Sequence, residues 1–322
     1  MSALYPLMFY PVFRQYLWGG RRLETILGKQ LGPGDHYAES WEVVDHGPDQ
    51  SVVSNGPLRD ITLGEIRRAH PEALLGRHAQ LDKFPLLFKF LDAQEHLSIQ
   101  VHPDDEAARR LNPPDAGKTE AWVVLAVEPG SRIYAGLKPG CTPQQLRNAL
   151  ASKRLLECLH SFTPQPEDVV FIPAGVVHAL GAGLLVAEIQ QSSDTTFRLY
   201  DWDRLGPDGK PRPLHIEQAL SVVNFQYGPV HPIRSVVGDS QGREQLVHCD
   251  QFCLDRWRLS TPVRWGEDER FHILSVLEGR VEAQGAHLPE TLQRGQTILL
   301  PACAHVVLTP SPGATLLDMY LP

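Results

Sequence analysis

Apolar positions along the chain fall mostly in short runs, several alternating with polar residues, and glycine, proline or small polar clusters close each run. HYAESWEVV (36–44), QSVVSN (50–55), FPLLFKFLD (84–92), LSIQVH (97–102), EAWVVLAV (120–127) and DVVFIPAG (168–175) read as strands. LLVAEIQ (184–190), TFRLYDW (196–202), FHILSVLEG (271–279), TILLPA (297–302), HVVLTP (305–310) and ATLLDMYL (314–321) continue the series. GPDGKP (206–211) and VLEGRVE (276–282) have the composition of tight hairpin turns. Helical spacing is confined to three places. TLGEIRRAHPEALLG (62–76) opens with a Thr cap and a Glu three residues on, and HIEQALSVV (215–223) is shorter. TPQQLRNALASKRLLECLHSF (142–162) has Thr142 as cap, Pro143 at the first helical position and leucines at 146, 150, 155 and 159. The chain is therefore expected to be mainly β, with short helices between strands.

A weak internal repeat refines this. DVVFIPAGVVHAL (168–180) resembles QTILLPACAHVVL (296–308): a strand, a proline, small residues, and a histidine four or five residues after the proline. A strand that feeds a proline turn and returns through a histidine is an element of cupin-type jelly rolls. Two copies predict a bicupin of two jelly-roll β-barrels, divided near 227–245. The expected domains are 1–235, carrying the metal site and a helical insertion at 142–162, and 236–322.

Composition narrows the function. With 322 residues, 42% apolar and 21% charged, the chain is an ordinary globular protein long enough for two domains. A net charge of −8 and the lack of a Lys/Arg run argue against a nucleic-acid surface, while a small anionic substrate remains open to a few placed arginines. Five scattered cysteines (141, 158, 249, 253, 303) read as reduced thiols. His248, Cys249 and Cys253 lack a second cysteine pair to complete a zinc site. The N-terminus has no signal-peptide pattern and no stretch reaches membrane-spanning length, so a cytoplasmic location without membrane contact is expected.

Candidate chemistry concentrates in the first repeat. Gln100 and His102 lie two apart in a strand, so both side chains point to the same side. Lys118 and Glu120 share that spacing in GKTEAWVVL (117–125), and His178 follows the Pro173 turn. Gln100, His102, Glu120 and His178 form an N₂O₂ set suited to zinc or another divalent first-row ion. In VAEIQQSSDTTFRLYDWDR (186–204), Glu188 reads structurally as an outward-facing residue in an apolar strand. Arg198 either pairs with Asp201 or Asp203, the reading local sequence favours, or offers its guanidinium to an anion.

Together, FPLLFKFLDAQEHLSIQVHPDDEAA (84–108), GKTEAWVVL, FIPAGVVHAL and EIQQSSDTTFRLYDWDR resemble the type I phosphomannose isomerases in their shorter bacterial form. The likeness is strongest over residues 84–204 and weaker in YLWGG (16–20) and YAESWEVV (37–44). It implies one zinc ion per chain on Gln100, His102, Glu120 and His178. It also implies catalytic roles for Arg198, Glu188 and Lys118, and substrate contacts from Lys118, Asp194, Arg198 and Arg204. Arg204 stands near where longer members carry a lysine, and 142–162 replaces their larger helical insertion. The implied reaction interconverts mannose 6-phosphate and fructose 6-phosphate through a cis-enediol, with Glu188 as base and a metal-activated water as the alternative base. The partner expected is a small sugar phosphate. A non-catalytic sugar-phosphate sensor and a non-haem iron dioxygenase are the competing readings. The second repeat, with only His305 in its PACAH turn, is expected to be metal-free.

Overall fold

A computed structural model describes residues 4–206, 209–234, 238–285 and 289–322. The strands that build the N-terminal part are β1 (Val12–Gly20), β2 (Tyr37–Val43), β3 (Leu86–Ala93), β4 (Ile99–Val101), β5 (Glu120–Val127) and β6 (Ile133–Leu137). They continue as β7 (Leu159–Phe162), β8 (Val169–Ile172), β9 (His178–Leu180), β10 (Leu184–Gln191) and β11 (Phe197–Tyr200). One antiparallel sheet has the order β8-β5-β10-β3-β2-β1 and the second the order β7-β6-β9-β4-β11. They face each other as the two walls of the first jelly roll.

Alternation decides what each wall presents. On β3, Leu86, Phe88 and Phe90 join a core shared with the C-terminal half, while Lys89 and Leu91 turn inward. Leu185, Ala187 and Ile189 of β10 repeat the outer set, and Val186 the inner one with Glu188. Every residue of β3 is buried. A sheet covered on both faces has no solvent side, so the outward placement of Glu188 expected from local sequence does not occur: it is 3% exposed, inside the barrel.

On the opposite wall, Ile99, Val101, Val177, Ala179, Phe197 and Leu199 pack outward against helices, leaving Gln100, His178 and Arg198 to face in. Those helices are α3 (Pro143–Ala151) and α4 (Ile216–Val222); α1 (Leu63–Ala69) and α2 (Pro71–Leu75) lie earlier in the chain. Thr62 caps α1 with Glu65 in a reciprocal box, as expected, and Thr142 caps α3 with Gln145. The helix predicted for 142–162 stops at Ala151, and Lys153 takes a positive φ of 56°. Leu155 then enters a 3₁₀ turn and Leu159 opens β7. Both leucines are buried in the expected core, on a different backbone.

The C-terminal strands are β12 (Arg243–His248), β13 (Cys253–Leu259), β14 (Val263–Trp265), β15 (His272–Gln284), β16 (Glu290–Gln293), β17 (Thr297–Leu300) and β18 (Val306–Tyr320). They form one rolled sheet of order β12-β13-β18-β15-β16, with β14 on β18 and β17 on β15. The hairpin expected at 276–282 is absent. β15 runs through it with register shifts on either side of Gly279, whose φ is +77°. HVVLTP and ATLLDMYL likewise merge into the single long β18. The 206–211 turn includes residues 207 and 208, and the expected division at 235/236 also falls outside the described residues. The two β systems share a core: Phe84 meets Phe271 at 4.6 Å between ring centroids, and the backbone of Leu7 pairs with Leu299. The fold is a bicupin, mainly β.

Candidate metal centre and cleft

Strand register assembles the site. His178 stands opposite Gln100 across β9 and β4, and Gln100 opposite Arg198 across β4 and β11. These three form one row on the helix-covered wall. On the facing wall, Glu188 pairs with Lys89 and with Trp122, and Gln190 pairs with Glu120. His102 sits just past β4 and is 1% exposed. Between the rows lies a cleft of about 290 Å³ whose lining includes Gln100, Lys118, Glu120, His178, Glu188, Asp194 and Arg198. Gln100, His178 and Arg198, up to 98 positions apart in sequence, thus meet through two antiparallel pairings.

His102, Glu120 and His178 bring their ligand atoms within 4.8 Å of one another. The Thr195 carbonyl accepts from His102 Nδ1 at 2.9 Å, and the Val176 carbonyl accepts from His178 Nδ1 at 2.9 Å. Each contact fixes the proton on Nδ1 and leaves the Nε2 lone pair aimed inward. Those lone pairs meet Glu120: His102 Nε2 lies 3.4 Å from Oε2, and His178 Nε2 lies 3.2 Å from Oε1. His102 Nε2 and Glu120 Oε2 are buried without a hydrogen-bond partner among the described residues. Acceptors facing acceptors in a dry site need a cation between them.

The electrostatics agree. Burial pushes the His102 imidazole down to about 3, with Lys118 adding to the effect, and burial also lowers His178. Both are neutral, the form that binds metal. Burial pushes the Glu120 carboxyl upward, but the Lys118 ammonium beside it acts the other way, and the carboxylate stays well below its usual range. Gln100 Nε2 lies 3.5 Å from His178 Nε2, and a half-turn of the amide would present its oxygen there instead. The donor set fits a borderline divalent ion.

Above this group stands Glu188. Trp122 Nε1 donates to its Oε2 at 3.0 Å, Lys89 Nζ is 3.2 Å from its Oε1, and Oε1 has no hydrogen-bond partner. Burial raises its carboxyl to about 7, with Glu120 and Glu39 contributing and Lys89 and Lys118 opposing. Lys118 Nζ sits 3.3 Å from Glu120 Oε2. Arg198 does not pair with Asp201 or Asp203: its Nη1 donates to the Pro213 carbonyl at 3.0 Å and its Nε is unpartnered. Asp201 is occupied by Arg204, at 2.6 Å, and by Arg212. Competition for Asp201 from two other arginines is what frees Arg198. Asp194 is exposed on the cleft wall. Arg204 lies instead in an adjoining cavity of about 330 Å³, which meets the cleft at Tyr16, Trp18 and Arg212.

Sequence reasoning passed over two supports. Lys89 reads as one charge in an apolar strand, although period-two alternation puts it on the Glu188 side. Asp115, in PPDAGKTE, accepts from Thr195 Oγ1 at 2.7 Å and Ser193 Oγ at 2.9 Å, and contacts His46 Nε2 at 3.2 Å. It thereby fixes the turn whose carbonyl orients His102. Only its position just before the KTE strand hinted at this.

Fold and site define a bicupin whose first barrel can hold one cation beside a second buried carboxyl, Glu188. Residues 7–120 match the phosphomannose isomerase type I catalytic domain. The chain is 35% identical to mannose-6-phosphate isomerase ManA of Bacillus subtilis, over 92% of its length and 93% of the relative's. It is 33% identical to mannose-6-phosphate isomerase of Streptococcus mutans, over 92% of both. A crystal structure of the mannose 6-phosphate isomerase from Bacillus subtilis superposes with a TM-score of 0.90 at 30% identity, covering 99% of this chain and 100% of the other. The chain belongs to the type I phosphomannose isomerase family, and it is an enzyme of that type.

Proposed function

We propose that this enzyme interconverts mannose 6-phosphate and fructose 6-phosphate, with one zinc ion held by Gln100, His102, Glu120 and His178. The observation that carries the reading is two inward histidine lone pairs facing Glu120, whose Oε2 makes no hydrogen bond and has only the Lys118 ammonium beside it, with a separate buried carboxyl, Glu188, across the same cleft. A divalent ion bound there would supply Lewis acidity toward a carbonyl or enediolate oxygen. The chain's own groups do the rest.

Starting from the aldose, Glu188 takes the proton from C2, and the C–H electron pair becomes the C1–C2 double bond of a cis-enediol as the C1 oxygen gains a proton. Returning the Glu188 proton to C1, while the O2 proton passes back to the group that protonated the C1 oxygen, yields the ketose, so atoms and charge balance. A carboxyl raised to about 7 suits this two-way transfer. Lys118 places an ammonium beside the sugar oxygens, and Lys89 keeps Glu188 oriented with Trp122. Arg198, free of Asp201, supplies a guanidinium fork for an anionic oxygen, while Arg204 is committed to Asp201. The site is read as cytoplasmic, consistent with five free cysteines; no helix among the described residues is long and apolar enough to cross a membrane.

Isomerisation of mannose 6-phosphate, assayed before and after chelation and with zinc restored, tests this directly. Loss and recovery are expected; stoichiometric sugar-phosphate binding without turnover would favour the sensor instead. Glu188→Gln should lower kcat about 10²–10⁴-fold and retain the metal.

A further inference from the structure

The mouth of the C-terminal barrel opens on a separate cavity of about 280 Å³, near the small end of ligand pockets. Alternation builds it as it builds the first site. Leu254 of β13, Ile273 of β15 and Met319 of β18 turn toward the N-terminal barrel, so Asp255, Trp257, His272, Asp318 and Tyr320 turn into their own. The deeper groups satisfy one another. Asp318 accepts from His272 Nδ1 at 2.7 Å, Asp268 lies 3.2 Å from Nε2, and Asp255 accepts from Arg243 Nε at 2.8 Å and Tyr320 OH at 2.9 Å.

The remaining valences are open. Trp257 lines the cavity at 8% exposure, and its indole N–H has no acceptor among the described residues. Asp255 Oδ1 also lacks a hydrogen-bond partner, and Arg270 Nε makes no hydrogen bond, its nearest carboxylate being Asp268 Oδ2 at 3.8 Å. Trp257 and Trp265 form an aromatic corner, with centroids 4.5 Å apart and planes at 57°. Charge around the cavity cancels: Arg243, Arg264, Arg270 and a doubly carboxylate-paired His272 face Glu267, Asp268, Asp318 and, behind them, Asp255. An anion site would carry surplus cations, and a cation site would carry carboxylates free of arginine.

Balanced planar donors and acceptors around an aromatic corner match a neutral polyhydroxylated ring, whose C–H face stacks on indole while its hydroxyls bridge guanidinium and carboxylate. We propose that the C-terminal barrel binds an unphosphorylated monosaccharide in the pocket formed by Trp257, Trp265, Arg270 and Asp268. This does not rest on the reaction assigned to the first barrel.

The test is a titration of the full metal-loaded enzyme with D-mannose, followed by tryptophan fluorescence and calorimetry, with fructose 6-phosphate in excess to fill the first cleft. Saturable binding should persist under that competition. It should weaken roughly tenfold or more in Trp265→Ala. The isosteric Asp268→Asn, at a half-exposed position, should weaken it as well, with kcat and KM for the isomerisation unchanged in both variants. Absence of saturable mannose binding, displacement by fructose 6-phosphate or inorganic phosphate, or undiminished binding in both variants would overturn the proposal.

Discussion

The two barrel mouths use buried histidine in opposite ways. In the first, His102 and His178 give their Nδ1 protons to backbone carbonyls and leave Nε2 facing a carboxylate with no proton between. In the second, both nitrogens of His272 meet carboxylates, Asp318 and Asp268. Burial alone lowers an imidazole in either place. Carboxylates on both sides reverse the outcome in the second, so that His272 rises to about 9 while His102 falls to about 3. A buried histidine is thus a ligand or a strut according to what its second nitrogen meets. The proline turns show the same divergence: His178, five residues after Pro173, is buried, whereas His305, four after Pro301, is exposed. His178 already opens β9, whereas His305 still lies in the turn ahead of β18.

The sharpest way to break this comparison is a matched pair of variants. His178→Ala should lose bound metal and activity together, beyond the roughly 10–100-fold cost of removing an outer-shell partner, with little change in Tm. His272→Ala should keep one metal per chain by elemental analysis and instead lose about 3–5 kcal/mol of stability, because Asp318 is left buried and unpaired. Equal losses of Tm in the two would refute the distinction. Asp115→Asn refines the first half: metal affinity, measured by competition with a chelator, should fall about 10–100-fold, and saturating metal should restore turnover. Unchanged affinity would show that the turn holds without it.

A further effect is a dependence on pH. His272 keeps its proton to about 9 in the folded barrel, against 6.5 ordinarily. Its contribution, on the order of 3 kcal/mol, is complete below pH 6.5 and is lost as pH rises through 9. Denaturant melts across that window should therefore show the wild type losing stability relative to His272→Gln. Parallel profiles would mean that the imidazole is neutral.

Much of the candidate cation site was legible because its determinants are local. Two residues apart on a strand means one face, which united Gln100 with His102, and the repeated proline turn marked His178. The family resemblance added the roles expected of Glu188, Lys118 and Arg198. Alternation likewise placed the apolar strands, a capping box placed the start of α1, and a Thr cap followed by a proline placed that of α3. Local signals failed where a partner lay far away in the chain. Glu188 looked solvent-facing because nothing in LLVAEIQ reveals that a second barrel covers the other side of its sheet. Arg198 looked paired because Asp201 is near in sequence, yet Arg204 and Arg212 reach that carboxylate. Leu155 and Leu159 suited a helix as well as the turn and strand they adopt, since burial constrains the side chain more than the backbone.

By itself, then, the sequence determined the periodicities, the turn chemistry and the inventory of ligating side chains, all of which are properties of neighbours along the chain. The tertiary structure alone decided which charges are dry, which arginine is free and which histidine nitrogen is left bare. Those depend on desolvation and on competition among partners brought together across the barrel, and no stretch of sequence contains both sides of that contest.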